Sequence, residues 1–486
     1  MSDRPNILVI MSDQHSKHVL GCYGNPIVRT PSLDRLASDG VVFTDAYCAS
    51  PVSCPSRMSF LTGRTPGRNR VWNNQQILNP AIPTWAHVLG ASGYETSLLG
   101  RMHFEGHDQY HGFENRPIGE MFAVHPGTFG GEKYPSGQSR RVIELSGTGT
   151  TTYQWMDDLI ASQACEYLRA RGHRQQSRPF AAVVGFVLPH CPFVAPKDLF
   201  EHYHPLVDIP QVEDRQPGMI GWYRKSRDIE RPFPEERIRI ARASYFALCE
   251  FFDALVGRLL DCLEETGLAE NTLVVYCSDH GEMAGEHGCW TKNTYYEGSV
   301  GVPLIARVPG VKHAGLRSGR VCNLLDLAPT FADLAQADSV PDWDGQSLWP
   351  FLSGSDEGDP PNETYSEVVD ESTRPNIPSR MIRSGPWKLW ADQAQEGTAV
   401  DVALFNLEDD PGEINDLSEE SEHSAIRNEL LGKVRADWDP DAVRDEVADL
   451  KWGYEYVREW ARTLRPTLPE TLPPPPPEIE DDVQIL

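Results

Sequence analysis

Three uninterrupted apolar runs punctuate the chain: Ile7-Leu8-Val9-Ile10-Met11, Phe180 to Val187, and Leu273-Val274-Val275-Tyr276-Cys277. Runs of this length read as strands buried on both faces, the texture of a parallel sheet. Between them, apolar residues recur at three- and four-residue steps over Ser32 to Ser38 (behind Thr30-Pro31), Trp155 to Arg171, and Ile238 to Glu265. That spacing predicts helices. Strand–helix alternation sustained over about 340 residues predicts one large α/β domain, residues 1–355. In such sheets, polar residues just past the strand C-termini line the ligand crevice. Two of the runs end there in Ser12-Asp13-Gln14-His15 and Ser278-Asp279-His280-Gly281, and the third in Leu188-Pro189-His190.

After Ser355-Asp356-Glu357-Gly358-Asp359-Pro360-Pro361 the pattern changes. Short segments around Thr364 to Val369, Ser379 to Ser384, Trp387 to Trp390 and Val402 to Phe405 predict an antiparallel sheet with turns. Leu407-Glu408-Asp409-Asp410-Pro411-Gly412 is a turn ahead of a helix near Ser424 to Trp438, so residues 356–440 read as a smaller α+β subdomain. Residues 441–486 form a tail. Its helical stretch, Asp441 to Arg462, carries Trp452, Tyr454, Tyr456 and Trp460, which are aromatic for a terminal segment. Docking on this subunit or a neighbour is the expected use, and with it a homo-oligomer. The end, Pro473 to Pro477 and then acidic residues, is expected to be extended or disordered.

Composition narrows the partners. The 486 residues carry 44 Lys+Arg against 71 Asp+Glu, a formal charge of −27. That balance argues against a nucleic-acid backbone or an anionic membrane as partner. The first residues, MSDRPNILVIMSDQH, lack the pattern of a secretory signal, and no apolar run approaches the roughly 18 residues of a membrane span. The ten cysteines are scattered without knuckle spacing, which reads as reduced, mostly buried thiols. The expected compartment is the cytoplasm.

Three constellations carry chemistry. Asp13-Gln14 and Asp279-His280 bring two carboxylates, an amide oxygen and an imidazole to predicted strand ends, where they could share one divalent cation. Carboxylate and amide oxygens suit Ca²⁺, Mg²⁺ or Mn²⁺, and the imidazole leans toward Mn²⁺ or Zn²⁺. Taken singly, each Asp could equally cap a following helix. Next, Ser53-Cys54-Pro55-Ser56-Arg57 places a hydroxyl at a helix start with a guanidinium nearby, a set suited to a tetrahedral oxyanion, or alternatively an N-cap with a surface Arg. Third are loop cations: Arg101 and His103 in LLGRMHF, His190, and Lys292, each able to neutralise a transferred group or protonate a leaving group.

The order NILVIMSDQH, RTPSLDRLASDGVVFTDAYC, SCPSRMSFLTGR, LLGRMHF, CSDHGEMAGEHG and LFNLEDDPGEINDL resembles the sulfatase family of the alkaline phosphatase superfamily. RVWNNQQILNPAIPTWAHVLGASGY and GRMHFEGHDQYHGFE add a likeness to choline-sulfatase-like and phosphonate-monoesterase-like members. The resemblance implies a large mixed sheet sandwiched by helices, and a metal-dependent hydrolase of a small sulfate ester. It implies Asp13, Gln14, Asp279 and His280 as ligands of one divalent ion, Ca²⁺ or Mn²⁺, and Ser53 as nucleophile. It further implies Arg57 supporting nucleophile and oxyanion, His103 as base after transfer, and His190 and Lys292 on the transferred group. A choline-type substrate would need an aromatic cage, for which Trp72, Phe122, Phe129, Tyr134 and Trp155 are candidates.

Two departures matter. The family's usual modified Cys is Ser53 here, with Cys54 one place late, and Arg101 stands where Lys is usual. A serine-type enzyme would need a radical sulfatase-maturating partner to oxidise Ser53 to formylglycine. The hydrated aldehyde has two hydroxyls, one to take the sulfuryl group and one to expel it. Plain serine has only one. Unmodified Ser53 would therefore favour phosphodiesters or phosphonate monoesters, which water can attack at phosphorus. On this reading, Ser53→Ala, Asp279→Ala and Arg57→Ala each cost orders of magnitude in rate with folding largely intact.

Overall fold

The computed structural model describes residues 4–119, 139–173, 178–213, 216–217, 220–310, 314–338, 340, 342–355, 362–369, 377–393, 400–464 and 482–486. The large sheet contains β1 (Asn6–Asp13), β2 (Val41–Phe43), β3 (Glu95–Gly100), β4 (Asn115–Ile118), β5 (Phe180–Pro189), β6 (Thr272–Ser278), β7 (Leu304–Arg307) and β8 (Leu316–Ser318). Their order across the sheet is β8-β2-β7-β6-β1-β5-β3-β4. The three apolar runs are therefore its centre, with β1 parallel to both β5 and β6. β7 runs antiparallel to β6 and β2, which makes the sheet mixed. The predicted helices are found at Pro31–Asp39, Thr152–His173 and Glu235–Glu265, the second and third packed against each other and against β5.

Register sets the location of the site. Ser12 pairs with Ser278 and Asp13 with Pro189, so the polar ends of all three central strands emerge at one rim. Between β3 and β5 the backbones approach too closely for side chains. A Cβ on Gly185 would lie 1.8 Å from the Arg101 carbonyl, and one on Gly100, whose φ is +86°, would lie 2.3 Å from the Gly185 carbonyl. That approach allows the Arg101 amide to donate to Gly185 (2.8 Å) and turns the chain after β3 over the same rim.

The smaller sheet is an antiparallel meander, β9 (Glu363–Val369), β10 (Pro378–Ser384), β11 (Trp387–Gln393) and β12 (Val400–Asn406). Helices Ser424–Arg435 and Pro440–Leu464 close a second core over it, with Leu389, Leu404, Leu430, Val434 and Val447. A buried charge cluster joins this unit to the first. Glu297 accepts from Lys17 (2.6 Å) and Lys388 (2.7 Å), and Glu413 pairs with Lys388 while accepting the Glu297 amide (2.6 Å). Glu413 comes from the LFNLEDDPGEINDL motif, which therefore acts as a clasp rather than at the site. Its grip reaches the ligand loop, because Gly281 donates its amide to Ser299 (2.8 Å), two residues after Glu297.

The tail helix buries Val443, Val447 and Tyr454 on its own subunit, and Trp460 sits edge-on to His107. Trp452 and Tyr456 stack on each other at 5.8 Å and are both 71% exposed. The Pro-rich stretch Pro473 to Pro477 lies outside the described residues. The last segment does not trail: Asp482–Ile485 pairs antiparallel with Gly147–Thr150, giving that short strand a second neighbour besides Val194–Ala195. A strand edge with unpaired amides accepts any extended segment of suitable reach, including an acidic one. None of the ten cysteines, all among the described residues, forms a disulfide. Among the described residues no helix is long and apolar enough to cross a membrane.

Candidate active site and metal centre

Asp13, Asp279 and His280 arrive at the rim from β1 and β6, and their ligand atoms lie within 4.8 Å of one another. Asp13 Oδ2 accepts from Arg101 Nε (2.7 Å) and Arg57 Nη2 (3.2 Å). Asp279 Oδ2 accepts from Arg57 Nε (2.8 Å), while its Oδ1 accepts from the amides of Gln14 (3.1 Å) and His280 (2.9 Å). The His280 ring faces the Gly281 carbonyl with Nδ1 (2.9 Å), so Nδ1 carries the proton and Nε2 presents its lone pair. That Nε2 lies 3.7 Å from Oδ1 of both aspartates.

Two buried oxygens have no hydrogen-bond partner here, Asp13 Oδ1 and Gln14 Oε1. Buried acceptors left unpaired are costly, and a cation in their midst is what satisfies them. Three hard oxygens and one imidazole fit a divalent ion, so the residues present match the metal that the family resemblance implies. Burial alone would raise Asp13, but Arg101 first, then Lys292 and Arg57, overcome it and hold the carboxyl well below its usual range. Burial pushes His280 down to about 4, which keeps Nε2 deprotonated.

Ser53 opens the helix Ser53–Thr62, whose positive end faces the cluster. Its hydroxyl sits between His280 Nε2 (3.0 Å) and Lys292 Nζ (3.1 Å). Lysine only donates, so Ser53 accepts from Lys292 and donates to His280. Cys54 points elsewhere, with its thiol toward the Gln76 carbonyl (3.9 Å). Arg57, one turn on, is fully buried and is neither a surface arginine nor a free anion clamp. Beyond its two carboxylate bonds it donates to the carbonyls of Arg101 (3.1 Å) and Ser12 (3.3 Å). Its guanidinium thus spans the carboxylates of Asp13 and Asp279.

The loop cations also converge. Lys292 Nζ donates to His190 Nε2 (3.2 Å), whose Nδ1–H faces the Cys191 carbonyl (2.6 Å). His190 is thereby a neutral acceptor, pushed to about 3 by burial and then by Lys292. Arg101 Nη2 donates to His103 Nδ1 (3.1 Å). Arginine has no acceptor, so neutral His103 carries its proton on Nε2. Burial and then Arg101 hold its pKa well below the ordinary imidazole value. To act as a base through Nδ1, His103 must give up Arg101.

These buried imidazoles set an acid limit. His15, bonded to Tyr276 (2.6 Å), is pushed by burial to about 4, and His190 to about 3. Folded pKa values below the unfolded value mean that the unfolded chain binds the extra protons as pH falls. The part of the metal-free protein's stability that rests on these two imidazoles is therefore expected to fall below about pH 6.5, by up to about 1.4 kcal/mol per pH unit for each, against the opposite trend of Asp157, Glu282 and Asp326, whose carboxyls burial pushes up to about 7. His15→Phe should weaken the acid dependence of the urea midpoint between about pH 6 and about pH 4, and a profile identical to that of the wild type would contradict this.

One buried residue was not singled out from the sequence. Glu282 accepts from Gln14 Nε2 (2.5 Å) and from the amides of Ala284 (2.8 Å) and Thr291 (2.7 Å). Its sequence signal is its place in CSDHGEMAGEHG, two residues beyond His280. Of the cage candidates, Phe122, Phe129 and Tyr134 lie outside the described residues, and Trp155 packs on the main core. Trp72 belongs to the second core, its indole N–H toward Glu446 (3.4 Å), where it packs as a hydrophobe.

Residues 5–337 match the Sulfatase family model, and residues 285–437 match the N-sulphoglucosamine sulphohydrolase C-terminal model. The chain is 33% identical to a choline-sulfatase of Rhizobium meliloti (strain 1021), over 94% of this chain and 92% of that one. It is 29% identical to arylsulfatase K of Danio rerio, over 95% and 88% respectively. Among solved structures, the phosphonate monoester hydrolase of Agrobacterium radiobacter shares the fold with a TM-score of 0.70 and 21% identity, covering 93% of this chain and 96% of that one. A protein solved with its substrate D-glucosamine-2-N,6-O-disulfate does so with a TM-score of 0.73 and 23% identity, over 90% and 99%. With a family match spanning most of the chain and a relative aligned almost end to end, this protein belongs to the sulfatase family and is a hydrolase of sulfuric esters.

Proposed function

We propose that the enzyme hydrolyses a small sulfate ester through Ser53 after its oxidation to formylglycine. Asp13, Gln14, Asp279 and His280 hold one Ca²⁺ or Mn²⁺ beside it. The observation that carries this reading is the place of the Ser53 hydroxyl, in contact with both a metal-ligand nitrogen and Lys292 at a helix N-terminus. A bound divalent ion supplies Lewis-acid polarisation of the ester oxygens. The chain supplies the rest. Arg57 and Arg101 fix the acidic ligands, and Lys292 presents charge to the transferred group while His190 accepts one of its protons.

A chain this acidic overall thus places Arg57, Arg101 and Lys292 around two buried aspartates, cations that offset the charge of an anionic ester. The nearly full-length similarity to a choline-sulfatase favours a small alkyl or choline-like alcohol. Oxidation removes one H₂ from the Ser53 side chain and passes two electrons to the oxidant of a radical sulfatase-maturating enzyme, which we propose as a partner.

Peptide mass spectrometry across Ser53, on active protein from a host that holds such a maturase, tests this reading. A peptide lighter by one H₂, in proportion to turnover, is the expected result. Full turnover with unmodified Ser53 would overturn formylglycine and point to phosphodiesters or phosphonate monoesters, with serine as the direct nucleophile.

A further inference from the structure

We propose that Glu282 is a positioning residue that turns the Gln14 side chain so that its oxygen, and not its NH₂, faces the metal position. The inference rests on the metal-centre reading above. A glutamine side chain is nearly symmetric in shape and opposite in polarity at its two ends, so its neighbours decide which end points where. At a cation site that choice is decisive: the carbonyl oxygen is a ligand and the NH₂ group is not.

Here the NH₂ end is claimed by Glu282 Oε2 (2.5 Å), a carboxylate oxygen that only accepts. The other end, Oε1, is left buried and unpartnered. The main chain of Gln14 is held independently: φ is +66°, the amide donates to Asp279, and the carbonyl accepts from Tyr245 Oη (2.8 Å). Backbone position is thus assured by other residues, and only the side-chain rotation depends on Glu282. Every group bonded to Glu282 is an N–H donor, Gln14 on Oε2, and Ala284 and Thr291 on Oε1. Its second oxygen also fixes the residue just before Lys292, so one carboxylate sets both a ligand and the loop of the cation that touches Ser53.

Glu282→Gln keeps the shape and introduces an NH₂ group among three donors. Gln14 then gains by flipping to accept, which turns its own NH₂ toward the cation. Mn²⁺ affinity, titrated on the metal-free full chain at about pH 8, is expected to fall by about 10- to 100-fold. Glu282→Asp, which remains acceptor-only, should stay nearer the wild type, and this holds even if the glutamine variant folds poorly. In a Gln14→Ala background the Glu282→Gln change should cost little more, because the side chain it acts through is gone.

Equal costs in both backgrounds, or unchanged affinity in Glu282→Gln, would overturn the proposal. Wild-type protein that fails to bind Mn²⁺ or Ca²⁺ at all would instead overturn the metal centre itself.

Discussion

Ser53→Ala is expected to lower kcat by about four to six orders of magnitude, the range seen when a nucleophile is deleted from a site whose groups act as a unit. Metal affinity and folding should persist. Ser53 is not the helix cap, a position taken by Val52 without a side-chain bond, so its hydroxyl does no capping work. Its removal leaves Lys292 bonded to His190 and His280 Nε2 facing both aspartates. The stability change should stay near the roughly 1 kcal/mol of one hydrogen bond. Turnover of a chromogenic aryl sulfate together with a melting curve checks both halves. Cys54→Ala is the paired control and should remain active, since that thiol faces a carbonyl away from the metal position. Activity surviving Ser53→Ala but lost in Cys54→Ala would move the nucleophile by one residue and refute the register.

Arg57→Ala is expected to do something different from what the sequence suggests. Read from the motif, its loss costs rate and leaves folding intact. In the structure its guanidinium is buried between Asp13 and Asp279 and makes four hydrogen bonds. Removing it leaves two carboxylates in a dry site with one fewer cation, a change that costs about 3–5 kcal/mol when a buried pair is broken. The metal-free variant should therefore melt well below the wild type. A divalent cation would then bear more of the compensation, so saturating Mn²⁺ or Ca²⁺ should raise its melting temperature by more than it raises that of the wild type. Denaturation with and without metal measures this. A metal-free variant as stable as the parent would show that the aspartates do not need Arg57, and its rate loss would then belong to the reaction alone.

Some of this site can be read along the chain because its signals are local. Apolar runs long enough to be buried strands end in Ser-Asp-Gln-His and Ser-Asp-His-Gly, and the polar residue after a central parallel strand has nowhere to go but the rim. The same local logic placed the three long helices, the meander at 363–406 and the aromatic tail helix within a few residues of where they lie. It misplaced Trp72, since an aromatic near a motif looks the same whether it faces a substrate or a second core. It gave the final segment as extended or disordered without a partner, because strand pairing at 147–150 depends on an edge that only the folded domain presents.

Distance along the chain separates what the sequence determined from what the fold decided. The sequence by itself determined the family, the strand ends and the residue types that meet a cation, all properties of short windows with a period or a motif. Tertiary structure decided which atoms face which. Glu282 meets Gln14 across 268 positions, and Arg57 reaches Asp279 across 222. It also turned the Cys54 thiol away while the adjacent hydroxyl faced His280, and it placed Glu413 on the amide of Glu297, two residues before the Ser299 carbonyl that holds Gly281. Periodicity reports the face on which a side chain lies. Its partner, and hence its charge state and chemistry, is set by register and packing between segments that no local pattern connects.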